Sequence, residues 1–392
     1  MNIVFAANGY VERGIPKDGF PMYLYRVSHA LKALGHTPVI VYCSDRDSSR
    51  VEDGIRMIGI KYQMIRSKIP WLNAFWASVC RSYRLNKKLK ELIRTEHADI
   101  IQFTSLNAVS LLYTGKVPAV MRLSSYTKKQ NPIVDALDRH TIVVASMLEL
   151  AAGRRCSAVF APSNVTAKAF EKDFGRRVYV FETPYVNQVV TYDDSFYEKN
   201  LKGKKYVLFF GRLYYVKGIT VIAEIIEKFL EKYQDYYFAF VGEALPIQGR
   251  SSVDIIMDGA GKYRDRVIIS KALEHKRLYP VIENADFIVM PSIIDNFPNA
   301  CIEAMALSRL VIGTDGASFE QLITDRKSGL LCKIGDAGDL LEKMETAADM
   351  DNQEKQKIGE QAKLRIMKLH PDIVVKKLVR FYEAVVGLKP SE

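Results

Sequence analysis

The sequence lacks a long apolar run, since none reaches the roughly 18 residues that a membrane-spanning helix needs. Residues Met1–Ala7 also lack the basic start of a signal peptide and predict a strand instead. Hydrophobic residues make up 48% of the 392 residues and charged residues 26%, a balance typical of a globular protein. That length exceeds one ordinary core and predicts two domains.

Cysteine and histidine are scarce and irregularly spaced. The five cysteines include no C-x-x-C pair, which favours a reducing compartment where thiols act as small apolar side chains. The six histidines form no H-x-x-x-H or H-E-x-x-H pair, so no metal site is expected. We therefore predict a cytoplasmic protein.

Positive charge is concentrated in one segment of a chain whose net charge is +11. Residues 61–94 contain nine lysines and arginines, the single acid Glu91, and both tryptophans, Trp71 and Trp76. Basic residues beside aromatic ones suit an anionic membrane surface, here the inner face of the cell membrane. The alternative is a solvated helix whose aromatic side chains face the core. Charge reversal at Lys87 and Lys88 would distinguish the two.

Short apolar runs alternate with longer helical patterns, as in parallel-sheet α/β proteins. We predict an N-terminal domain over 1–190, a C-terminal domain over 200–370, and a linker around 186–204. A last helix, about 371–392, is expected to cross back onto the first domain. Two Rossmann-like halves facing across a cleft are the predicted architecture, with ligands at the carboxyl ends of the strands. The predicted strands are 2–7, 38–43, 55–60, 99–103, 117–122, 157–161, 177–181, 205–210, 236–241, 265–269, 285–290, 309–313 and 329–332.

The segment 206–218 predicts a phosphate-binding turn. A buried strand ends at Gly211, which allows a tight turn, and a helix begins close to Lys217. Arg212 and Lys217 supply two cations, and a helix N-terminus adds free N–H donors. Together they could hold a diphosphate without a metal.

A second segment, 291–306, follows the apolar strand 286–290. Asp295 precedes a helix and Glu303 lies two turns further along, so the two carboxylates could accept hydrogen bonds from sugar and ribose hydroxyls. The helix start also includes Asn296, Phe297, Pro298 and Asn299. The backbone N–H groups of these residues, except that of the proline, which has none, could hold further polar atoms of the ligand. The alternative is that Asp295 is merely the helix N-cap and Glu303 an ordinary surface residue.

These two segments resemble the retaining GT-B glycosyltransferases of family 4, whose E-x₇-E motif corresponds to Asp295 and Glu303. The resemblance implies that Glu303 binds the ribose, Asp295 the transferred sugar, and Arg212 with Lys217 the diphosphate. In the same terms, Gly211 belongs with Arg212 and Lys217 to the family's phosphate-binding block. The resemblance extends to a glycine pair, to a strand and glycine under the nucleotide, and to a base-recognising segment, which correspond to Gly19, to Gly242, and to Lys271, Ala272 and Leu273.

Two departures from the family concern the sugar. Asp295 replaces the first glutamate, and the histidine that many relatives carry is absent near Ser124 and Ser125. These serines could offer hydroxyls to the donor or acceptor, or they could form only a turn after the strand. His29, His36 and His140 are expected to be structural.

The resemblance implies transfer of a hexose-type sugar from a nucleoside diphosphate donor, with a UDP-sugar favoured, and no cofactor. The acceptor is expected to be a glycan or a lipid-linked sugar, and no nucleic acid is expected as a partner. Alternatives are a GT-B nucleotide-sugar epimerase and a non-enzymatic protein that binds anionic membranes through 61–94. A nicotinamide dehydrogenase would need a G-x-G-x-x-G after the first strand, which is missing.

Overall fold

A computed structural model describes residues 1–11, 19–129, 138–187 and 191–388. Two compact units divide the chain, one formed by Met1–Tyr185 with the residues from Leu369 onward, the other by Val186–Lys368. The C-terminal helix therefore belongs to the same unit as the N-terminal strands.

The first unit is built on an eight-stranded sheet with the order β3-β4-β2-β1-β5-β6-β7-β8. All neighbours are parallel except β3 and β4, which form an antiparallel edge pair. Without that edge strand, the order is the doubly wound arrangement of a dinucleotide-binding fold. The strands are β1 Asn2–Ala7, β2 Thr37–Ser44, β3 Ser48–Glu52, β4 Ile55–Lys61, β5 Ile100–Thr104, β6 Ala119–Arg122, β7 Ala158–Ala161 and β8 Val178–Val180.

Helices cover both faces of this sheet. On β1, Phe5 belongs to a core that includes residues of the first and last helices, and Val4 belongs to a core with the second helix. Such alternation follows from the two-residue period of a strand, and burial on both faces explains its continuous apolar sequence. The helices of this unit are α1 Gly19–Ala33, α2 Pro70–Thr95, α3 Arg139–Arg154, α4 Asn164–Phe174 and, after the second unit, α13 Pro371–Val386.

The second unit has a six-stranded, wholly parallel sheet with the order β11-β10-β9-β12-β13-β14. The direction of strand succession reverses between β9 and β12, so the loops that follow these two strands diverge and leave a crevice at the carboxyl edge. The strands are β9 Lys205–Phe210, β10 Tyr236–Val241, β11 Val267–Ser270, β12 Phe287–Met290, β13 Val311–Asp315 and β14 Leu330–Lys333.

The first six helices of the second unit are short, and the last two are longer. They are α5 Ser195–Asn200, α6 Ile219–Ala223, α7 Ile226–Lys232, α8 Ser252–Gly259, α9 His275–Glu283, α10 Asn299–Ala306, α11 Ala337–Asp349 and α12 Asn352–Met367. No helix among the described residues is both long enough and apolar enough to cross a membrane.

The predicted α/β fold class is confirmed, and each predicted strand lies within two residues of an observed one at both ends. Two local elements were not predicted. The edge strand β3 was not predicted because its side chains alternate between half-buried and exposed, without an apolar run. The stretch expected to be a linker contains α5, and Tyr192 at its start packs against Tyr279 of α9. Residues 188–190 of that stretch lie outside the described residues.

Candidate functional site

Close backbone packing shapes the carboxyl end of β9. Gly211 has φ +128°, a conformation that side chains disfavour, and its N–H donates to the carbonyl of Val241 at 2.9 Å. A Cβ at Gly242 would lie 1.7 Å from the carbonyl oxygen of Gly211. Glycine is therefore required at Gly242, so that the turns after β9 and β10 can lie against each other.

The loop that follows Gly211 is fixed against the loop that follows β12. Gly218 has φ +78°, and a Cβ there would lie 1.9 Å from the carbonyl oxygen of Pro291. The Ile293 N–H donates to the carbonyl of Val216 at 2.9 Å. These contacts hold Lys217 at the switch point of the sheet. The helix that begins after it, α6, has only five residues, which makes its dipole a smaller source of positive potential than we predicted.

Lys217 and Asp295 form an ion pair although they are 78 positions apart in sequence. The Asp295 side chain is 13% exposed and that of Lys217 is 28% exposed, so water screens the pair only in part. The other carboxylate oxygen, Oδ1, accepts from the Asn296 N–H at 2.9 Å. The N-cap of α10 is Pro298, so the alternative that Asp295 is only a helix cap is wrong.

Glu303 lies in the second turn of α10 and has a partner that we did not predict. Its Oε1 is 3.4 Å from Nε2 of His275, the first residue of α9, and the Glu303 side chain is 14% exposed. This contact places the imidazole of His275 beside the Glu303 carboxylate. The sequence could have indicated His275, because it lies four residues after Lys271, at the start of the helix that follows the strand β11.

Ser318 also contacts the loop of Asp295. Its hydroxyl donates to the Asp295 carbonyl at 3.1 Å, and its backbone adopts the left-handed conformation with φ +73°. A non-glycine residue in that conformation costs free energy and is common at functional sites. No role was predicted for Ser318.

The remaining predicted donor-binding residues of this unit lie near the same edge of the sheet. Arg212 is exposed and forms no ion pair with any described residue. Lys271 and Ala272 are exposed just after β11, and Leu273 is half-buried. Phe297 and Pro298 are buried, and Asn299 begins α10.

In the first unit, Gly19 begins α1 with φ +59°, and a Cβ there would meet no atom within 4 Å. Its requirement for glycine is conformational rather than steric. The Ser124 hydroxyl lies 3.3 Å from that of Thr104 at the end of β5. The Ser125 carbonyl accepts from the Ser105 hydroxyl at 3.4 Å. Ser124 thus contacts the end of β5, and Ser125 contacts the residue that follows it.

Arg122 immediately precedes those serines and is 5% exposed. Its guanidinium stacks on the Tyr23 ring at 3.7 Å and donates to the Thr183 hydroxyl at 3.1 Å. No carboxylate pairs with it among the described residues, and burial lowers its pKa. His29 and His36 bond to their surroundings through Tyr25 and Met1, as structural residues do.

The described parts of the chain contain no cluster of three or more histidine, cysteine or acidic side chains that could bind a metal ion. All five cysteines are free, and four of them are buried.

Two known families match this chain, one in each half. Residues 193–365 match the family described as glycosyl transferases group 1, and residues 18–184 match glycosyltransferase family 4. The chain is a GT-B glycosyltransferase of the GT4 type. The boundary between the two matches falls close to the division between the two units at Tyr185.

Two curated relatives match part of the chain. One is an N,N'-diacetylbacillosaminyl-diphospho-undecaprenol alpha-1,3-N-acetylgalactosaminyltransferase of Campylobacter jejuni, 22% identical over 48% of this chain and 46% of the relative. The other is an alpha-D-kanosaminyltransferase of Streptomyces kanamyceticus, 24% identical over 33% of each chain. The matched regions thus span less than half of either relative.

Solved structures match over nearly the whole glycosyltransferase chain. A sucrose-phosphate synthase from Thermosynechococcus elongatus has a TM-score of 0.75 at 16% identity, covering 99% of this chain and 100% of that one. A trehalose-6-phosphate structure from E. coli, bound with UDP-2-fluoro glucose, has a TM-score of 0.73 at 13% identity and covers 100% of both. At these identities the likeness establishes the shared GT-B fold.

Proposed function

We propose that this glycosyltransferase moves a hexose-type sugar from a UDP-sugar to a glycan or lipid-linked acceptor, with retention of the anomeric configuration. The observation that carries the proposal is the Lys217–Asp295 pair at the switch point of the second unit. It brings a cation for a diphosphate and a carboxylate for sugar hydroxyls to one place at the carboxyl edge of a parallel sheet.

The ion pair is compatible with donor binding. An ammonium group has three N–H donors, so Lys217 can keep its contact with Asp295 and still donate to a phosphate oxygen. The pair also orients Asp295, whose other oxygen is held by the Asn296 N–H at 2.9 Å. Exposed Arg212 supplies a second cation for the diphosphate.

In the proposed reaction, the bond from the anomeric carbon to the β-phosphate oxygen breaks and a bond to the acceptor oxygen forms on the same face. The departing β-phosphate oxygen takes the proton of the acceptor hydroxyl. Lys217 and Arg212 stabilise the negative charge that develops on the diphosphate, and Asp295 orients the sugar. Glu303, held by His275 at 3.4 Å, binds the ribose hydroxyls.

The donor base and the acceptor rest on weaker support. Lys271 and Ala272 are exposed directly after β11, where backbone groups can meet a base. Uracil is proposed because one structural neighbour was solved with UDP-2-fluoro glucose. A lipid-linked acceptor is proposed because one partial relative is named for a diphospho-undecaprenol acceptor. Such an acceptor is held at a membrane surface, so the proposal includes a peripheral position on the inner face of the cell membrane.

A thermal-shift panel tests donor binding. The wild-type protein is heated with UDP, GDP, ADP and the corresponding sugars, and a bound ligand at 100 times its Kd adds about 2.7 kcal/mol. UDP and a UDP-sugar are expected to stabilise the protein, and Lys217→Ala is expected to reduce the shift. Lys228→Ala, which removes an exposed cation from α7, is the matched control and should retain it.

The outcomes separate the parts of the proposal. A thermal shift with GDP or ADP alone would show that the donor base is guanine or adenine rather than uracil. No thermal shift with any nucleotide would contradict the proposed donor site. Conversion of the donor sugar into a different sugar in the absence of an acceptor would identify the protein as an epimerase instead. Once an acceptor is found, NMR of the product decides retention from the anomeric configuration.

A further inference from the structure

The first sheet has a switch point of its own, between its neighbouring strands β1 and β5. The helix that follows β1 and the helix that precedes β5 belong to cores on opposite faces of this sheet. The direction of strand succession therefore reverses between the two strands, and the loops that follow them flank a crevice at the carboxyl edge. Doubly wound sheets bind ligands at such a place.

One hydrogen bond joins the loops that follow β1 and β5. Asn8 comes directly after β1, Asn107 lies three residues after β5, and Nδ2 of Asn107 donates to Oδ1 of Asn8 at 2.8 Å. Both residues are half-buried. The NH2 group of Asn8 and the side-chain carbonyl of Asn107 have no hydrogen-bond partner among the described residues. The switch point therefore presents an unused donor group and an unused acceptor close together.

The turn that carries Asn107 is strained and firmly held. Asn107 has φ +54° and Ala108 has φ +48°, so two successive residues other than glycine are left-handed. Alanine rarely adopts this conformation, and such strain persists where the surroundings enforce it, often at binding sites. Ala108 is 1% exposed and belongs to the same buried core as Val109. This burial fixes the backbone that carries the Asn107 amide before any ligand binds.

The surroundings of the amide pair suit a neutral ligand. Gly9 follows Asn8, and a Cβ there would meet no atom within 4 Å, so the space beside Asn8 is open. The cation of the nearby strand β6, Arg122, is 5% exposed and stacks on Tyr23, so it offers little charge to a ligand. Neighbouring sugar hydroxyls can donate to one amide and accept from the other, which uses both groups without any charge.

We propose that Asn8 and Asn107 bind hydroxyl groups of the acceptor, which is a neutral sugar unit where it meets the first unit of the protein. An ionised group such as a phosphate would need a cation at this place. The identification of the bound sugar as the acceptor rests on the proposed sugar transfer. Binding of a sugar to the amide pair does not, because it is measured without a nucleotide.

Saturation-transfer NMR of the intact protein tests the site. The probes are the methyl pyranosides of glucose, galactose, mannose and N-acetylglucosamine, and glucose 6-phosphate is the charged counterpart. At least one neutral glycoside is expected to bind to the wild-type protein in the absence of nucleotide. Binding of none of them, or of glucose 6-phosphate alone, would overturn the proposal.

Asn8→Asp separates sugar recognition from the link between the loops. The new carboxylate still accepts from Nδ2 of Asn107, but the unused NH2 group is replaced by an oxygen. Loss of one hydrogen bond should weaken glycoside binding by roughly 2- to 10-fold, with the fold retained. Asn352→Asp makes the same change in charge at the exposed first turn of α12, where a carboxylate is favoured, and should bind like the wild type. Unchanged binding in Asn8→Asp would show that the glycoside binds elsewhere and would contradict the proposal.

Asn107→Gly removes the second amide without adding strain, since glycine readily adopts the left-handed conformation. Binding of the same glycoside should again weaken by roughly 2- to 10-fold. His97→Gly makes the equivalent change at an exposed residue with φ +48° and should leave binding unchanged. A loss of stability in Asn107→Gly without any change in glycoside binding would show that the amide pair only ties the two loops together.

The thermal shift with UDP distinguishes this site from the donor site. The shift should be unchanged in Asn8→Asp and Asn107→Gly, because the proposed diphosphate and ribose contacts lie in the second unit. Loss of the shift in these variants would assign the amide pair to the donor and overturn the proposal. If the wild-type protein binds no nucleotide but its glycoside binding depends on Asn8, the proposed sugar transfer fails and the amide pair remains a sugar-binding site.

Discussion

Glu149 on α3 makes the stability of the first unit depend on pH. The side chain is 4% exposed and accepts hydrogen bonds from the N–H and the hydroxyl of Thr127, at 3.1 and 2.7 Å. Burial raises its pKa from 4.5 to about 7, because desolvation outweighs the two hydrogen bonds that favour the charged form. Thr127 follows the Ser124–Ser125 turn, so this carboxyl fixes the segment that leads away from it.

The sign follows from linkage. Because the folded-state pKa is raised, the stabilising contribution is fully present below pH 4.5 and is lost as the pH rises to about 7. A rise of this size corresponds to roughly 3 kcal/mol in the free energy of unfolding. Glu149→Gln keeps the shape and cannot ionise, so the variant should match the wild type near pH 4.5 and exceed it by roughly 3 kcal/mol above pH 8.

Urea unfolding at a series of pH values measures this difference. Both tryptophans, Trp71 and Trp76, lie in the first unit, so their fluorescence follows the unfolding of that unit. The comparison between variant and wild type cancels the other titrating groups. A difference that stays constant between pH 4.5 and 8, or that favours the wild type at high pH, would refute the reasoning.

Two further predictions concern the site of the second unit. Gly242→Ala should lower the free energy of unfolding by about 1–3 kcal/mol and weaken donor binding, because its Cβ would clash with the Gly211 carbonyl. Gly338→Ala, in a helix with its nearest atom at 3.4 Å, should instead be neutral or stabilising, and equal losses in both would reject the clash. Glu303→Gln should raise the KM for the donor by about 10-fold or more with little change in kcat, since a hydrogen bond to a charged group is worth about 1.5–3 kcal/mol. A fall in kcat alone would contradict ribose binding by Glu303. His275→Gln should raise the KM for the donor by a smaller factor, again with little change in kcat.

Most of the fold could be predicted from the sequence because its strands are buried on both faces. The sequence of β9, Lys205–Phe210, is apolar from Tyr206 onward, and such a run signals a strand of a parallel sheet without any knowledge of its neighbours. The edge strand β3 escaped because a half-exposed strand carries no such signal. The helix α5 escaped because six residues between polar neighbours show no helical period.

The site could be predicted only in part. Gly211, Lys217, Asp295 and Glu303 were identified from local patterns and from resemblance to a family. The contact between Lys217 and Asp295 could not be identified in this way. It depends on β9 and β12 being neighbours in the sheet, and no spacing in the sequence encodes that order. His275 was missed for the same reason.

The charge pattern of residues 61–94 predicted a surface but not which cations are free. Lys88 was expected to be one of two informative lysines, yet it pairs with Glu91 and is partly buried. Lys90 is exposed and shares a face of α2 with Lys87, because the helical period, rather than adjacency in sequence, decides which side chains lie together.

The central claim is that Lys217 stabilises a departing nucleoside diphosphate. Its most direct test is the rate of sugar transfer, or of UDP release from the UDP-sugar identified by thermal shift, in the Lys217→Ala variant. A lost contact of this kind is worth roughly 3–4 kcal/mol, so the rate should fall by a factor of several hundred, with partial recovery in Lys217→Arg and no loss in Lys228→Ala. A rate near that of the wild type in Lys217→Ala, in a protein that remains folded, would contradict the account.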